Sequence, residues 1–377
     1  NLGIIPTMWK TSTIIPVPKG NKCTEYKDFR PVSLTCNAMK CLEKLVLKKL
    51  MSQVGKHLDP LQFAYRKNRG VDDAVLCFLH GAYKHLDVGG SFVRALFVDF
   101  SSAFNTIMPH LLAAKLLEMN ASPQLVLWIH NFLLERPQAV RLGMIKSCTK
   151  VISTGAPQGC VLSPALFSLY TSKIISDNEN CNIIKYADDM VITGHLTDEN
   201  VNDYVTTVKA FIEWCDAHYL HLNVSKTKEM VFDFRKKSNK HDPLFLHNKE
   251  VEQVKEYKYL GSIVTNTLDW TKNTQTLCKK GNQRLYFLRM MKNIHVDRTI
   301  LVLFYQSLIQ SILTYNVICF YGNGTQKNRT RLDRVRRAAQ RVIGHDLTDM
   351  NCLFEQRVMS KTNKIMKDQS HPLNTQY

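Results

Sequence analysis

No C-x-x-C pair occurs in this chain, although it carries 11 cysteines. They are scattered singly, with Cys36 and Cys41 the nearest two. That pattern is neither a disulfide framework nor a zinc-ligand spacing, so free thiols in a reducing compartment are expected. Internal repeats and low-complexity tracts are missing too, which argues against repeat and linker architectures. No signal peptide is visible. The chain also lacks an uninterrupted apolar run long enough to span a bilayer. Its longest, residues 300–321, is broken by Gln306, Ser307, Gln310 and Ser311 and reads as a buried helix.

Negative charge is short as well. The 32 Asp and Glu face 50 Lys and Arg, a formal charge of +18. The imbalance is concentrated, because residues 271–345 hold fourteen Lys and Arg against two acids. A polyanionic partner is implied, nucleic acid first, and Arg334, Arg336 and Arg337 are expected to meet phosphates. The 377 residues, 45% hydrophobic, suffice for a large core and two or three subdomains. The chain opens at Asn1 and enters a motif almost at once, so it is expected to be a fragment of a longer polyprotein.

Periodicity outlines the elements. Residues 13–17 read as a strand closed by Pro18-Lys19-Gly20. Residues 36–55 have helical period, with Leu42, Leu45, Val46 and Leu50 on one stripe. Asp72 and Asp73 suit the start of a helix to about His85. A strand follows over 92–99. Pro109 and Pro123 suit the first turns of two more helices, and Ser163-Pro164 that of a third to about Ile174. A helix over 201–218 and a short strand near 230–234 come next. Beyond Asp269 the pattern is all helical, its last helix stopped by Gly344. Strands mixed with helices, then helices alone, predict an α+β layer followed by a helical module. Residues 345–377 are weakly periodic and carry no assigned role.

The tetrapeptide Tyr186-Ala187-Asp188-Asp189 sits between two apolar runs, where a tight turn joining two strands is expected. A third carboxylate, Asp99, ends the run Ala95-Leu96-Phe97-Val98. Three ionised carboxylates in one cleft repel: two unit charges ~4 Å apart at an effective dielectric near 20 cost about 4 kcal/mol. Divalent magnesium would relieve that cost, since it takes carboxylate oxygens together with substrate phosphates. Paired ions suit phosphoryl transfer.

Ordered motifs add to this. They run from Trp9 to Gly20 (WKTSTIIPVPKG), Asp28 to Leu34 (DFRPVSL), Gln62 to Asp73, Phe97 to Ile107 (FVDFSSAFNTI) and Gly155 to Pro164 (GAPQGCVLSP). Tyr186 to Asp189, Leu220 to Lys228 (LHLNVSKTK) and Tyr257 to Val264 (YKYLGSIV) follow. In this order they resemble the reverse transcriptases of non-LTR (LINE-type) retrotransposons over nearly the whole chain. The resemblance implies a right-hand polymerase. Its fingers and palm, an antiparallel sheet with packed helices, would take residues 1–265, an all-helical thumb 266–345 and a tail 346–377. It implies an RNA-directed DNA polymerase that extends a primer 3′-OH with deoxynucleoside triphosphates.

The resemblance also assigns roles. Asp99, Asp188 and Asp189 would hold two Mg2+ ions, with Mn2+ as the alternative cation, aided by the backbone carbonyl of Phe100. Lys226 would be a general acid. Lys19, Arg30, Phe100, Phe104 and Gln158 would bind the incoming nucleotide, Phe104 as the bulky gate against a 2′-hydroxyl. Gly159, Tyr186, Tyr259, Leu260 and Gly261 would meet template and primer. Asn105 departs from the family pattern, where Asp is common, as do Ala64-Tyr65 and Gly70. Partners implied are an RNA template, a DNA primer and deoxynucleotides, with no membrane. An endonuclease domain is expected in the full-length element and outside this chain. Intracellular location is expected, nuclear by resemblance or cytoplasmic as a ribonucleoprotein. Two other readings stand beside this one. One is an inactive truncated relic that at most binds nucleic acid. The other is a different palm polymerase, an intron maturase or a viral RNA polymerase; Pro157-Gln158-Gly159 and Phe104 argue against the viral enzyme.

Overall fold

The computed structural model describes residues 4–20, 22–236 and 241–374. They fall into two compact units. The first takes Asn1–Lys67, Val98–Met190 and Val205–Lys226; the second takes Asn68–Phe97, Val191–Tyr204 and Thr227–Tyr377. Strands and helices are mixed up to residue 265, and every described element from Thr271 onward is helical. That is the α+β class with a helical end that the sequence pattern implies.

In the first unit a sheet is built on strand Ser12–Pro18. It pairs antiparallel with Phe29–Leu34, placing Val17 opposite Arg30. Through residues 12–14 alone it also pairs parallel with Arg136–Leu142. Pro16 and Pro18 therefore lie where the strand has a neighbour on one side, and no ladder bond is lost to their missing N–H groups. Ile145–Lys146 and Lys150–Ile152 pair antiparallel with Arg136–Leu142.

Helix Asn37–Val54 begins at Cys36, whose Sγ accepts the Met39 N–H. Its buried face is Met39, Glu43, Leu50 and Val54, whereas Leu45 is 68% exposed. The expected stripe is thus corrected: Glu43 points inward because its carboxylate accepts the Leu162 N–H at 3.0 Å. Pro109–Glu118 and Pro123–Leu133 start on their prolines. Helix Ser163–Tyr170 stops four residues short of Ile174. The cause is Lys185, whose enclosed ammonium takes the carbonyls of Thr171 and Ile174 and pairs with Asp59. Those carbonyls need no helical partner.

In the second unit the strand order is Glu252–Gln253, Lys228–Phe232, Phe92–Val98 and Asp189–Leu196. Lys228–Phe232 runs antiparallel to Phe92–Val98, with Ala95 opposite Met230. Every residue of Phe92–Val98 is buried, Arg94 included. Its guanidinium meets both Glu229 oxygens at 2.9 and 3.0 Å, and Tyr204 donates to the same carboxylate. Removing one partner of such a pair costs about 3–5 kcal/mol. The hairpin Glu256–Tyr259/Ser262–Thr265 stacks Tyr257 on Phe97, centroids 4.3 Å apart.

Helices Thr271–Asn293, Arg298–Phe304, Ser311–Leu313, Val317–Phe320 and Gln326–Ile343 follow. A π-helical turn, Tyr305–Gln310, joins the second to the third. By length and composition alone Arg298–Phe320 could cross a membrane. Its buried residues Leu301, Tyr305, Ile309 and Leu313 recur every fourth position, the stripe of a core helix. Gly344 ends Gln326–Ile343 at φ +71°, where only glycine is unstrained. The tail forms a helix the sequence reading lacks, Met350–Met366, started by the Asp349 carboxylate on the Cys352 N–H. It docks through Lys361 on Asp72 and Asp73 and is followed by His371 on Asp73.

Candidate active site

The acids are positioned by backbone bonds within the first unit. Strand Cys181–Tyr186 enters a turn in which Ala187 is left-handed at φ +58°. Gln62, 1% exposed, aims its Oε1 at this turn and accepts the N–H groups of Ala187 (3.2 Å) and Ala64 (3.1 Å). The Phe63 N–H donates to the Lys185 carbonyl, and the Lys185 N–H to the Leu61 carbonyl. Asp188 and Asp189 are thereby presented at the end of a clamped strand.

Asp99 is held by a second segment. Its carbonyl accepts the Asn223 N–H at 2.8 Å, Phe100 bridges to Leu222, and the Ser101 N–H donates to His221. The Asn223 side chain hydrogen-bonds the Asp99 carboxylate. The Lys226 N–H in turn donates to the Asn223 carbonyl, so Lys226 is fixed to the same loop.

Between these segments opens a cavity of about 470 Å3. Of the residues singled out in the sequence, Lys19, Arg30, Asp99, Phe100, Phe104, Gln158, Gly159, Asp188 and Lys226 line it. Asp189 and Tyr186 flank it along the chain. The strand register explains the basic wall. Arg30 stands opposite Val17, and Lys19 lies two residues further on, its N–H bonded to the Asp28 carbonyl.

The electrostatics of the cleft are those of crowded carboxylates. Burial pushes the Asp99 carboxyl up, opposed by Lys226, the Asn223 hydrogen bond and Lys19. Burial raises Asp188 too, with Asp99 adding to the rise and Arg30 opposing it. Asp189 goes up to about 6, by burial first and then by the charges of Asp188 and Asp99. Both aspartates of the turn keep solvent-exposed surface, so the protein crowds them without closing them off. Like charges that raise one another's pKa would be stabilised by a cation between them. Among the described residues no three acid, histidine or cysteine side chains close into a ligand cage by themselves. Hard carboxylate oxygens in an open cleft still suit Mg2+, which takes one or two carboxylates and completes its shell with water and substrate phosphates.

Phe104 lies in the turn Ala103–Thr106 with its ring 4.9 Å from that of Phe167. Its carbonyl accepts the Ala156 N–H at 2.8 Å, and the Ile107 carbonyl accepts that of Gly155. The Gln158 carbonyl accepts the Ser33 N–H at 2.6 Å. The Gly/Pro loop is thus tied to the Phe104 turn at one end and to strand Phe29–Leu34 at the other. A Cβ on Gly159, at φ +109°, would stand 2.9 Å from the Ser33 carbonyl oxygen. Only glycine allows that approach.

Tyr259, Leu260 and Gly261 belong to the second unit. Tyr259 packs on Phe78, and Leu260 and Gly261 form the hairpin turn at φ +43° and +85°. Tyr315 donates to the Leu260 carbonyl at 2.9 Å, its ring lying against Gly261.

Three neighbours of the acids escaped the sequence reading. Gln62 and Asn223 act through long-range bonds. Tyr65 lines the cavity with 54% of its surface exposed and a left-handed backbone at φ +58°. The one signal for Tyr65 was its departure from the Phe usual in the resembled family.

Acids from two chain segments and the cations Lys19, Arg30 and Lys226 thus line one cavity. Residues 17–264 match the family model described as "Reverse transcriptase (RNA-dependent DNA polymerase)", and the chain belongs to that family. It is 25% identical over 358 residues to "Probable RNA-directed DNA polymerase from transposon BS" of Drosophila melanogaster, covering 90% of this chain and 38% of that protein. It is 27% identical over 288 residues to "RNA-directed DNA polymerase from mobile element jockey" of the same species, covering 72% and 31%. These relatives bear out the resemblance to the non-LTR retrotransposon enzymes. The chain spans less than two-fifths of their length. Among solved structures, apo telomerase from Candida tropicalis aligns with a TM-score of 0.52 at 12% identity, covering 96% of this chain and 63% of that one. That likeness is one of fold alone. Residues 270–311 also match a model described as "Alkylated DNA repair protein alkB homolog 8, N-terminal", too small a share of the chain to assign a family.

Proposed function

We propose that this chain carries the RNA-directed DNA polymerase centre of a retrotransposon. A primer 3′-oxygen attacks the α-phosphorus of a deoxynucleoside triphosphate, the bond from the α-phosphorus to the bridging oxygen breaks, and pyrophosphate leaves. The observation that carries the reading is a cavity lined jointly by Asp99, Asp188, Lys19, Arg30, Phe104 and Lys226.

Each residue has a chemical task in this reading. Asp99, Asp188 and Asp189, with the Phe100 carbonyl, would hold magnesium, which when bound supplies Lewis-acid charge to the reacting oxygens. Arg30 presents a fork to phosphate oxygens, and Lys19 adds a point charge. Lys226 gives a proton to the leaving pyrophosphate. Phe104 occupies the space a 2′-hydroxyl would need. Gln158 and Gly159 contact the nascent pair, and Tyr186 borders it. Tyr259, Leu260 and Gly261 steady the primer end. An RNA template fits the family, and we add a DNA primer. We assign residues 1–265 to fingers and palm, 266–345 to a thumb that tracks backbone phosphates, and 346–377 to a tail.

Primer extension on an RNA template with magnesium and deoxynucleotides tests the reading. The parent chain extends, and Asp188→Asn loses roughly 10³-fold in rate, the scale of losing a main electrostatic contribution, while template–primer affinity holds. Equal extension by both would remove Asp188 from the chemistry. No extension by the parent would remove the polymerase reading.

A further inference from the structure

The first unit carries a hairpin that the nucleotide cleft does not use. Strand Arg136–Leu142 turns at Gly143 and Met144 into Ile145–Lys146, with Leu142 opposite Ile145 and Arg141 opposite Lys146. Gly143 takes φ +61°, the left-handed conformation that a two-residue turn asks of its first member. Met144 becomes the tip and is fully exposed, with Leu142 68% and Ile145 76% exposed beside it. Alternation puts Leu142 and Ile145 on one face of the hairpin and Arg141 and Lys146 on the other.

The charges of the hairpin lack a counter-ion. Like charges directly opposite each other weaken a strand pair, and Arg141 and Lys146 are so placed. No Asp or Glu lies between Glu135 and Asp177, and among the described residues neither cation has a hydrogen-bond or ion-pair partner. A polyanion would supply what the pair lacks. The apolar tip narrows the choice to nucleic acid. Leu, Ile and Met are side chains that proteins drive between base steps, while neighbouring Arg and Lys hold the phosphates. Strand register gives the hairpin its place. Arg136–Leu142 runs parallel to Ser12–Pro18, with Gln138 beside Ser12 and Val140 beside Ile14, so its tip points to the end of the sheet at which Lys19 enters the cleft. The strand that carries Arg30 lies two strand spacings away, roughly 10 Å. At about 3.4 Å per nucleotide, that distance is about three nucleotides of one strand.

We propose that this hairpin is a wedge for base-paired template. Leu142, Met144 and Ile145 stack on the last pair ahead of the cleft, and Arg141 and Lys146 hold phosphates of the strand that is turned aside. The proposal rests on the polymerase reading above, which sets the direction in which template moves. Copying draws the template toward the acids and so pulls any paired segment against the hairpin. Each step opens one pair, and the base left uncovered meets apolar side chains instead of water.

The test places the full chain on a primed RNA template that folds into a duplex ahead of the primer end, after a gap of one to four unpaired nucleotides. The first pair of that duplex carries 2-aminopurine, whose fluorescence rises when the pair opens, with no nucleotide added. The parent is expected to shift the opening equilibrium about ten-fold, the worth of one stacked step, and most at a gap of about three nucleotides. Leu142→Ser, Met144→Ser and Ile145→Ser combined remove the shift while affinity for the template–primer holds. All three side chains are exposed, so the core is untouched. Arg141→Gln with Lys146→Gln keeps the apolar tip and flattens the salt slope of binding by up to about 1.8, two duplex phosphates. No shift in the parent, or a full shift in the serine variant, overturns the wedge. So does a dimeric parent beside a monomeric serine variant in sedimentation, which would make the hairpin a seat for a second copy. Primer extension by the parent on an unpaired template is scored separately. Loss of extension with opening retained removes the polymerase reading, and extension without opening removes the wedge alone.

Discussion

The Oε1 of Gln62 accepts the backbone N–H of Ala187 at 3.2 Å, across 125 residues of sequence. One buried side chain thereby sets the position of the turn that carries Asp188 and Asp189. Gln62→Leu would leave two enclosed N–H groups without an acceptor, at about 1–3 kcal/mol each. We expect kcat for primer extension to fall at least about ten-fold while KM for template–primer holds, since transition-state geometry suffers more than binding. Gln62→Glu keeps an acceptor oxygen and should recover part of the rate. A proportional rise in KM with unchanged kcat would argue against a positioning role.

The ring of Phe104 faces the cleft with Phe167 behind it. Phe104→Ala opens that space while leaving its backbone carbonyl bonded to Ala156. Discrimination for deoxynucleotides over ribonucleotides should drop on the order of 100-fold, the scale of a lost steric fit in a pocket. Competitive incorporation on one template measures it, and an unchanged ratio would take the gate away from this residue.

Asp73 supplies a pH test. Burial pushes its carboxyl up, but the hydrogen bond from His371 and the charge of Lys361 outweigh this and hold it below the usual range. A depressed carboxylate contributes stability that is fully present above its unfolded value of ~3.9 and is lost as pH falls through the folded one. Asp73→Asn should therefore lower the urea midpoint at pH 7. The cost is expected at about 2 kcal/mol, below that of an isolated buried pair because Asp72 still faces Lys361. The gap between the two proteins should begin to narrow below about pH 4 and close only once the pH falls beneath the depressed folded value. A gap of constant size across that range would contradict the charge account.

The basic helix Gln326–Ile343 divides the three expected phosphate contacts. Arg334 and Arg337 are exposed, while Arg336 is buried and bonded to Asp333, Gln340 and the Leu347 carbonyl. The expectation that Arg336 meets phosphate is corrected, because its donors are taken within the unit. Arg334→Gln should flatten the salt dependence of duplex binding by up to about 0.9. Arg337→Gln should do less, since Arg337 shares Asp333 at 2.7 Å. Arg336→Gln should cost stability and leave the slope unchanged; a flattened slope would reinstate it as a contact.

Local signals carried well where chain chemistry alone decides the element. The proline starts at Pro109 and Pro123, the glycine stop at Gly344 and the acid turn all lie where the sequence places them. Strands Arg136–Leu142, Ile145–Lys146 and Lys150–Ile152 escaped notice because most of their residues are exposed or half-buried, so no apolar alternation marks them. The early end of Ser163–Tyr170 depends on Lys185, and the inward turn of Glu43 depends on Leu162. Both are contacts between distant segments, which no local pattern encodes. The same holds at the site. Acids and cations could be found one motif at a time, but the bonds of Gln62 and Asn223 emerge only when separate segments meet.

The docking of Lys361 and His371 on an enclosed Asp73 sets a boundary for anyone shortening this polypeptide. Cutting at the glycine after the last basic helix, the natural choice from hydropathy, would strand an anion inside the protein with its Lys361 counter-ion and its His371 hydrogen-bond partner both deleted. The minimal soluble fragment should therefore retain residues through 371.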